Sequence, residues 1–176
     1  MREAADIAET ISTDDIERFA FNLALSTGRI YVIGLGGSMA NAIHMAADLR
    51  RLCDLDAEAF DNIAELTAAM NDDGPQHIFD GWLSRATKND ILIVLSVGGG
   101  SKKVSPALMR SAYNFPGITM GIVGSKRGYI SKISKYVIHV PNVNPDRITP
   151  HTEAFQAVIW HCLVSHPLLQ KRATKW

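Results

Sequence analysis

The run "DILIVLSV", beginning at Asp90, restricts the possible folds more than any other stretch of the chain. It is apolar without interruption, as expected for a strand in a sheet covered on both faces. "RIYVIGLG", a short β-branched run ending in glycines, reads as a second buried strand, and "GITMGIVG" and "YVIHVP" as two more. Amphipathic stretches separate them. "STDDIERFAFNLALSTG" opens with capping residues and acids and stops at Gly28, so it is expected to be a helix. "SMANAIHMAADLRRL", "QHIFDGWLSRA", "SKKVSPALMRSAYNF" and "HTEAFQAVIWHCLVSH" read as further helices, the third with Pro106 near its first turn and the last ended by Pro167. Such alternation implies parallel strands joined by right-handed crossovers. The expected fold is a three-layer α/β/α sandwich with a central parallel sheet of about five strands.

The 176 residues suffice for one domain with a sizeable core. Lys plus Arg equals Asp plus Glu at 18 each, so no overall field favours nucleic acid or an anionic membrane. The N-terminus is acidic and polar, without the apolar core of a signal peptide, and no apolar run is long enough to cross a bilayer. A cytoplasmic location is expected. Cys53 and Cys162 match no redox or zinc spacing and are expected as reduced thiols, with one buried disulfide as the alternative.

Ligands of such sheets bind at the carboxyl ends of the strands, where both glycine-rich loops fall. "GLGGS" supplies Gly34, Gly36, Gly37 and Ser38; "SVGGGS" supplies Ser96, Gly98, Gly99, Gly100 and Ser101. A loop that opens a helix offers unpaired N–H groups and the positive end of the helix dipole. Either loop alone reads as a tight turn; two, each with a serine at the helix start, point to anion binding. Lys102 and Lys103 are expected in solvent. Neither loop matches the nucleotide P-loop or the dinucleotide fingerprint.

His44 and Asp48, at i and i+4, project from one helix face roughly 6 Å apart. An imidazole and a carboxylate so placed can bind a metal, act as an acid–base pair, or form a plain surface contact. Glu153 and His161 form a second pair, but eight residues of helix rise about 12 Å, too far to share one ion on a straight helix. Either Glu153 lies in an unwound first turn, or the two face different sites in an assembly. Asn71, Asp72, Asp73 and Gly74 form a turn by composition, with polar groups able to bind sugar hydroxyls. His77, His151 and His166 are expected to be solvated, and His139 to occupy a strand position.

From about Phe19 to His166 these pieces resemble, in order, the sugar isomerase (SIS) domain family and its phosphoheptose isomerase group, whose fold is flavodoxin-like. The family's "GNGGS" appears as "GLGGS", its His-x-x-x-Glu as His44 to Asp48, and its Asn-Asp dipeptide as Asn71 and Asp72. Its "STSGNS" appears as "SVGGGS", and its C-terminal Gln and His fall on Glu153 and His161. The resemblance implies a single SIS domain over 1–176, with the N-terminal helical segment 1–28 in oligomer packing. It implies a homotetramer with interfacial active sites and a divalent metal, usually zinc. The implied reaction takes sedoheptulose 7-phosphate to the aldose heptose 7-phosphate through an enediol, and surface polysaccharide synthesis is the implied setting. Carried over, Asp48 and His161 are catalytic, and His44, Asp48, Glu153 and His161 are the metal set. Gly36, Gly37, Ser38, Asn71, Asp72, Ser96, Gly98, Ser101 and Glu153 bind substrate.

Several positions depart from the family. Leu35 stands where an Asn is expected, removing two donors and an acceptor. Val97, Gly98 and Gly100 replace Thr, Ser and Asn, which leaves backbone donors only. Asp48 is one methylene shorter than Glu, and a 1 Å misplacement costs about 100-fold in rate. Two carboxylates and two imidazoles would also make a harder metal site, open to ions besides zinc. These losses define the alternative: a non-catalytic SIS module binding a phosphosugar or a protein, like the family's regulator of bacterial replication initiation. A third reading is an isomerase of another ketose phosphate, with Leu35 shaping a less polar pocket.

Overall fold

A computed structural model describes residues 1–173. Five strands, β1 (Ile30–Ile33), β2 (Ala57–Ala59), β3 (Ile91–Ser96), β4 (Ile118–Val123) and β5 (Tyr136–His139), form one sheet ordered β2-β1-β3-β4-β5. Every pairing is parallel, with Ile30 opposite both Ala57 and Ile91. The continuous apolar run in β3 follows from its central place: all six of its residues are buried. Ile91, Ile93 and Leu95 enter one core, while Leu92 and Val94 enter the other on the opposite face.

The helices divide between those faces. On the first lie α1 (Arg2–Thr10), α2 (Thr13–Ala24), α3 (Gly37–Cys53) and α8 (Ile148–Val164), contributing Ile7, Phe19, Met45 and Trp160 to that core. On the second lie the single turn α5 (Asp80–Leu83), α6 (Pro106–Asn114) and α7 (Tyr129–Ile133), contributing Trp82, Leu108 and Ile130. The helix α4 (Ile63–Asp72) borders the same face through Leu66. The expected three layers are present. No described helix is long and apolar enough to cross a membrane.

The start of α2 follows from its sequence: Ser12 Oγ accepts from the Asp15 amide at 3.2 Å, and Asp14 and Asp15 occupy the first turn. Other boundaries differ from expectation. The helix expected from Ser101 begins only at Pro106. Ser101 and Ser105 bond to one another instead, and the residue before a proline is driven from helical geometry. The helix expected across "QHIFDGWLSRA" is the single turn Asp80–Leu83, which includes Gly81. The turn expected at 71–74 starts later, because α4 runs through Asp72; Asp73 and Gly74, the latter at φ 94°, make the turn. The final helix starts at Ile148, after a 3-10 turn at Pro145–Arg147.

Candidate active site

The strand order reverses between β1 and β3, and such a switch point opens a crevice outside the carboxyl ends. The loops after β1 and β3 are the two glycine-rich ones, so both border this crevice. Gly36, at φ 61°, lets the chain enter α3 without a side-chain cap.

The second loop is braced from within. Ser96 Oγ accepts from the Gly99 amide at 3.0 Å, and the Gly99 and Gly100 carbonyls accept from the Ile130 and Tyr129 amides of α7. Gly99 and Gly100 take φ of 72° and 79°. Ser101 Oγ accepts from the Val104 amide at 3.0 Å. Both serines therefore shape the loop, and each keeps a hydroxyl proton to donate. Because α6 starts at Pro106, no helix N-terminus stands directly behind this loop, contrary to expectation. Gly98 faces open space. It lines a cavity of about 520 Å³ shared with Val97, Gly124, Ser125, Asn142 and Thr149. Ser125, Asn142 and Thr149 were not singled out from the sequence; their positions after β4, after β5 and at the head of α8 are the signal. Lys102 and Lys103 are exposed, as expected.

Farther along α3, His44 and Asp48 meet His161 of α8. Ligand atoms of the three lie within 4.8 Å of one another, with His44 Nε2 3.7 Å from Asp48 Oδ2. Asp48 is only 9% exposed, while both imidazoles are exposed. The rings of His44 and His161 cross edge to face at 5.7 Å, and both rest against the buried Trp160. What aligns the two helices is Asn41, one turn before His44. Its Nδ2 donates to the Glu153 carbonyl at 2.8 Å and to Gln156 Oε1 at 3.1 Å. Gln156 is fully buried, and its Nε2 donates to the Ile122 carbonyl of β4. Neither residue stood out in the sequence, because a buried amide pair has no short motif.

Two imidazoles and a carboxylate match the three-ligand sets of open zinc sites, in which a further position stays free for substrate. Glu153 is not brought to this cluster within the chain. α8 is regular over both residues, so the rise of about 12 Å separates Glu153 from His161. Its carboxylate lies instead on Gly37, where a methyl group would overlap it. Asn71 and Asp72 also stand apart from the glycine loops. Asn71 Nδ2 donates to Asp72 Oδ1 at 2.7 Å, and Asp72 lines a separate cavity of about 540 Å³ with Glu65, Asp73, His77 and Asp80.

The histidines expected in solvent each hold a carboxylate: His77 with Asp80 at 2.7 Å, His151 with Glu3 at 2.6 Å and His166 with Glu17 at 3.1 Å. Glu3 also accepts from Asn144 and Arg147, and these bonds lower its carboxyl to about 2. Half-buried His139 is shifted down by burial and by Lys126. Cys53 is buried, Cys162 is exposed, and both are free thiols.

Leu35, in the position of a family Asn, is half-buried and packs against the second core. It is thus an apolar wall of the first loop.

No protein-family model matches the chain. It is 32% identical over 153 residues to a phosphoheptose isomerase of Solidesulfovibrio magneticus, covering 81% of this chain and 72% of that one. It is 29% identical over 174 residues to the phosphoheptose isomerase of Syntrophotalea carbinolica, covering 91% and 86%. Among solved structures, a phosphoheptose isomerase from Francisella tularensis superposes with a TM-score of 0.79 at 20% identity, covering 97% of this chain and 92% of that one.

Proposed function

The chain belongs to the phosphoheptose isomerase family, and on that premise we propose that it converts sedoheptulose 7-phosphate into D-glycero-D-manno-heptose 7-phosphate through an enediol. The observation that carries this reading is the meeting of His44, Asp48 and His161 from two helices. A scaffold that only binds phosphosugars has no need of such a set.

The phosphate lies in the crevice against Gly98, Ser96 and Ser101, and Ser38 and Asn71–Asp72 serve the sugar hydroxyls in the assembled protein. Asp48 takes the proton from C1 of the ketose while the C2 oxygen gains one, giving the 1,2-enediol. A proton then returns to C2, the C1 hydroxyl proton leaves, and C1 becomes the aldehyde. His161 moves the proton between the two oxygens. His44, Asp48 and His161 would hold a divalent ion, zinc in our reading, which would supply Lewis-acid polarisation when bound. The working form is a homotetramer of single-domain chains with interfacial sites, in the cytoplasm, where both thiols stay reduced.

The test is metal analysis of the purified protein together with turnover of sedoheptulose 7-phosphate in deuterated water. One equivalent of metal and deuterium at C2 of the product are expected, both reduced in His161→Ala. Full turnover by His161→Ala would remove His161 from the mechanism. Binding of the phosphosugar without exchange in the wild type would reduce the protein to a binder.

A further inference from the structure

We infer that Trp160 is a positioning residue of the cluster: its indole is a shared floor that orients the imidazoles of His44 and His161 beside Asp48 before any ion is bound. The inference rests on the metal-site reading above and deepens it, because it says what fixes the ligands.

A ligand imidazole is ordinarily oriented through its second ring nitrogen, which donates to a carboxylate or a carbonyl. Among the described residues, the histidine rings that hydrogen-bond to the protein are those of His77, His151 and His166. The rings of His44 and His161 do not. His44, with its side chain 61% exposed, approaches Asp48 only to 3.7 Å. Left alone on a helix surface, such rings would sample several staggered rotamers.

What the two rings share is one aromatic face. The centroid of Trp160 stands 3.5 Å from that of His161, with the planes inclined by 36°, and 4.5 Å from that of His44, inclined by 59°. Successive residues of a helix point about 100° apart, so the two side chains leave α8 in different directions. Trp160 enters the core and His161 the surface, and they touch because the imidazole folds back over the indole. The indole is itself held, being 1% exposed within the core that α3 and α8 build over the sheet. Its Nε1 is buried without a partner among the described residues, so the contribution comes from the ring face and not from a donor. Rotamer freedom is thereby lost in folding, and less remains to be lost when an ion is bound.

Zinc affinity of the metal-free protein, measured by competition with a chelator, tests this, with urea unfolding of each variant followed in parallel. Affinity should fall about tenfold in Trp160→Leu, which fills the core without a flat face, and no more than about threefold in Trp160→Phe, which keeps one. Both substitutions shrink a core residue, so a purely structural role predicts that affinity follows stability whatever the shape of the replacement. Equal weakening by Leu and Phe, or unchanged affinity in the Leu variant, overturns the inference. A second readout needs no variant. Stacked on the indole, the ring protons of His161 should resonate upfield of those of histidines elsewhere in the metal-free wild type, and ordinary shifts overturn the inference even if neither variant folds. Zinc binding without turnover in the wild type removes the isomerase reading and leaves the role of Trp160 standing. Absence of zinc binding in the wild type overturns the ligand set and that role with it.

Discussion

Replacing Asn41 with Ala probes what holds the candidate site together, because His44 and Asp48 come from one helix and His161 from another. The substitution removes two bonds, to the Glu153 carbonyl and to Gln156 Oε1. Each is worth roughly 0.5–1.5 kcal/mol net, and the fully buried Gln156 oxygen left without a partner costs about 1–3 kcal/mol. These overlap, so a total near 2–3 kcal/mol is expected. With a urea m-value of about 2 kcal/mol/M, the unfolding midpoint should fall by roughly 1 M. Asn22→Ala is the control. Asn22 also bonds a backbone carbonyl, that of Arg18, but on the exposed face of α2, where the cost should stay below about 0.5 kcal/mol. A double-mutant cycle with Gln156→Leu should give a coupling energy of at least about 0.5 kcal/mol. Zinc affinity should weaken in Asn41→Ala, although Asn41 is not among the three proposed ligands. Additive effects of the two substitutions, or a midpoint within 0.2 M of wild type (roughly 0.4 kcal/mol at that slope), would refute the view that this amide bridge aligns the helices.

Glu3 and the two thiols give further tests. The Glu3 carboxyl is lowered from its ordinary 4.5 to about 2, first by Asn144 and then by His151. A depressed acid contributes its stability above the unfolded value and loses it as pH falls from 4.5 toward 2. Glu3→Gln should therefore flatten the acid limb of stability, measured by circular dichroism in urea between pH 5 and 2; an unchanged limb would show that the tie to Asn144, Arg147 and His151 is not formed in solution. A thiol reagent should modify one cysteine in the native chain, Cys162, and the second only after unfolding, because burial pushes the Cys53 thiol up to about 11. Two fast-reacting thiols in the folded protein would contradict the packing of Cys53 against α8.

Much of the architecture was legible because buried parallel strands leave a strong local signature. β1, β3 and β4 are runs rich in branched apolar residues, and burial on both faces of the sheet selects that composition; β5, at the sheet edge, keeps the apolar pair Val137 and Ile138 and is only partly buried. β2 escaped notice for the same reason. It is only Ala57–Ala59 at the sheet edge, with no β-branched residue, and it exists because its backbone pairs with Ile30 to Val32. α4 was missed although Asn62 caps it by accepting from the Ala64 and Glu65 amides, an Asn-x-x-Glu start that capping rules would have found. The ion-paired histidines were not legible. His151 and Glu3 are 148 residues apart, and only the folding of α1 beside the head of α8 joins them.

At the site, spacing found residues but could not assign their company. The i, i+4 pair on α3 and the histidine of α8 do meet, which helical periodicity and the family resemblance together anticipated. The eight-residue interval between Glu153 and His161 was a contradiction only while both were required at one ion. α8 stays regular, and the conflict is resolved in space: His161 turns to the cluster and Glu153 to Gly37. That placement changes what Gly37 is for. In sequence, a glycine in "GLGGS" suggests room for an incoming phosphate; in the fold, the room is used by the chain's own carboxylate. Substituting Gly37 would therefore displace Glu153 before it affected any ligand, so a loss of activity in such a variant reports the carboxylate's seat and not a missing phosphate contact.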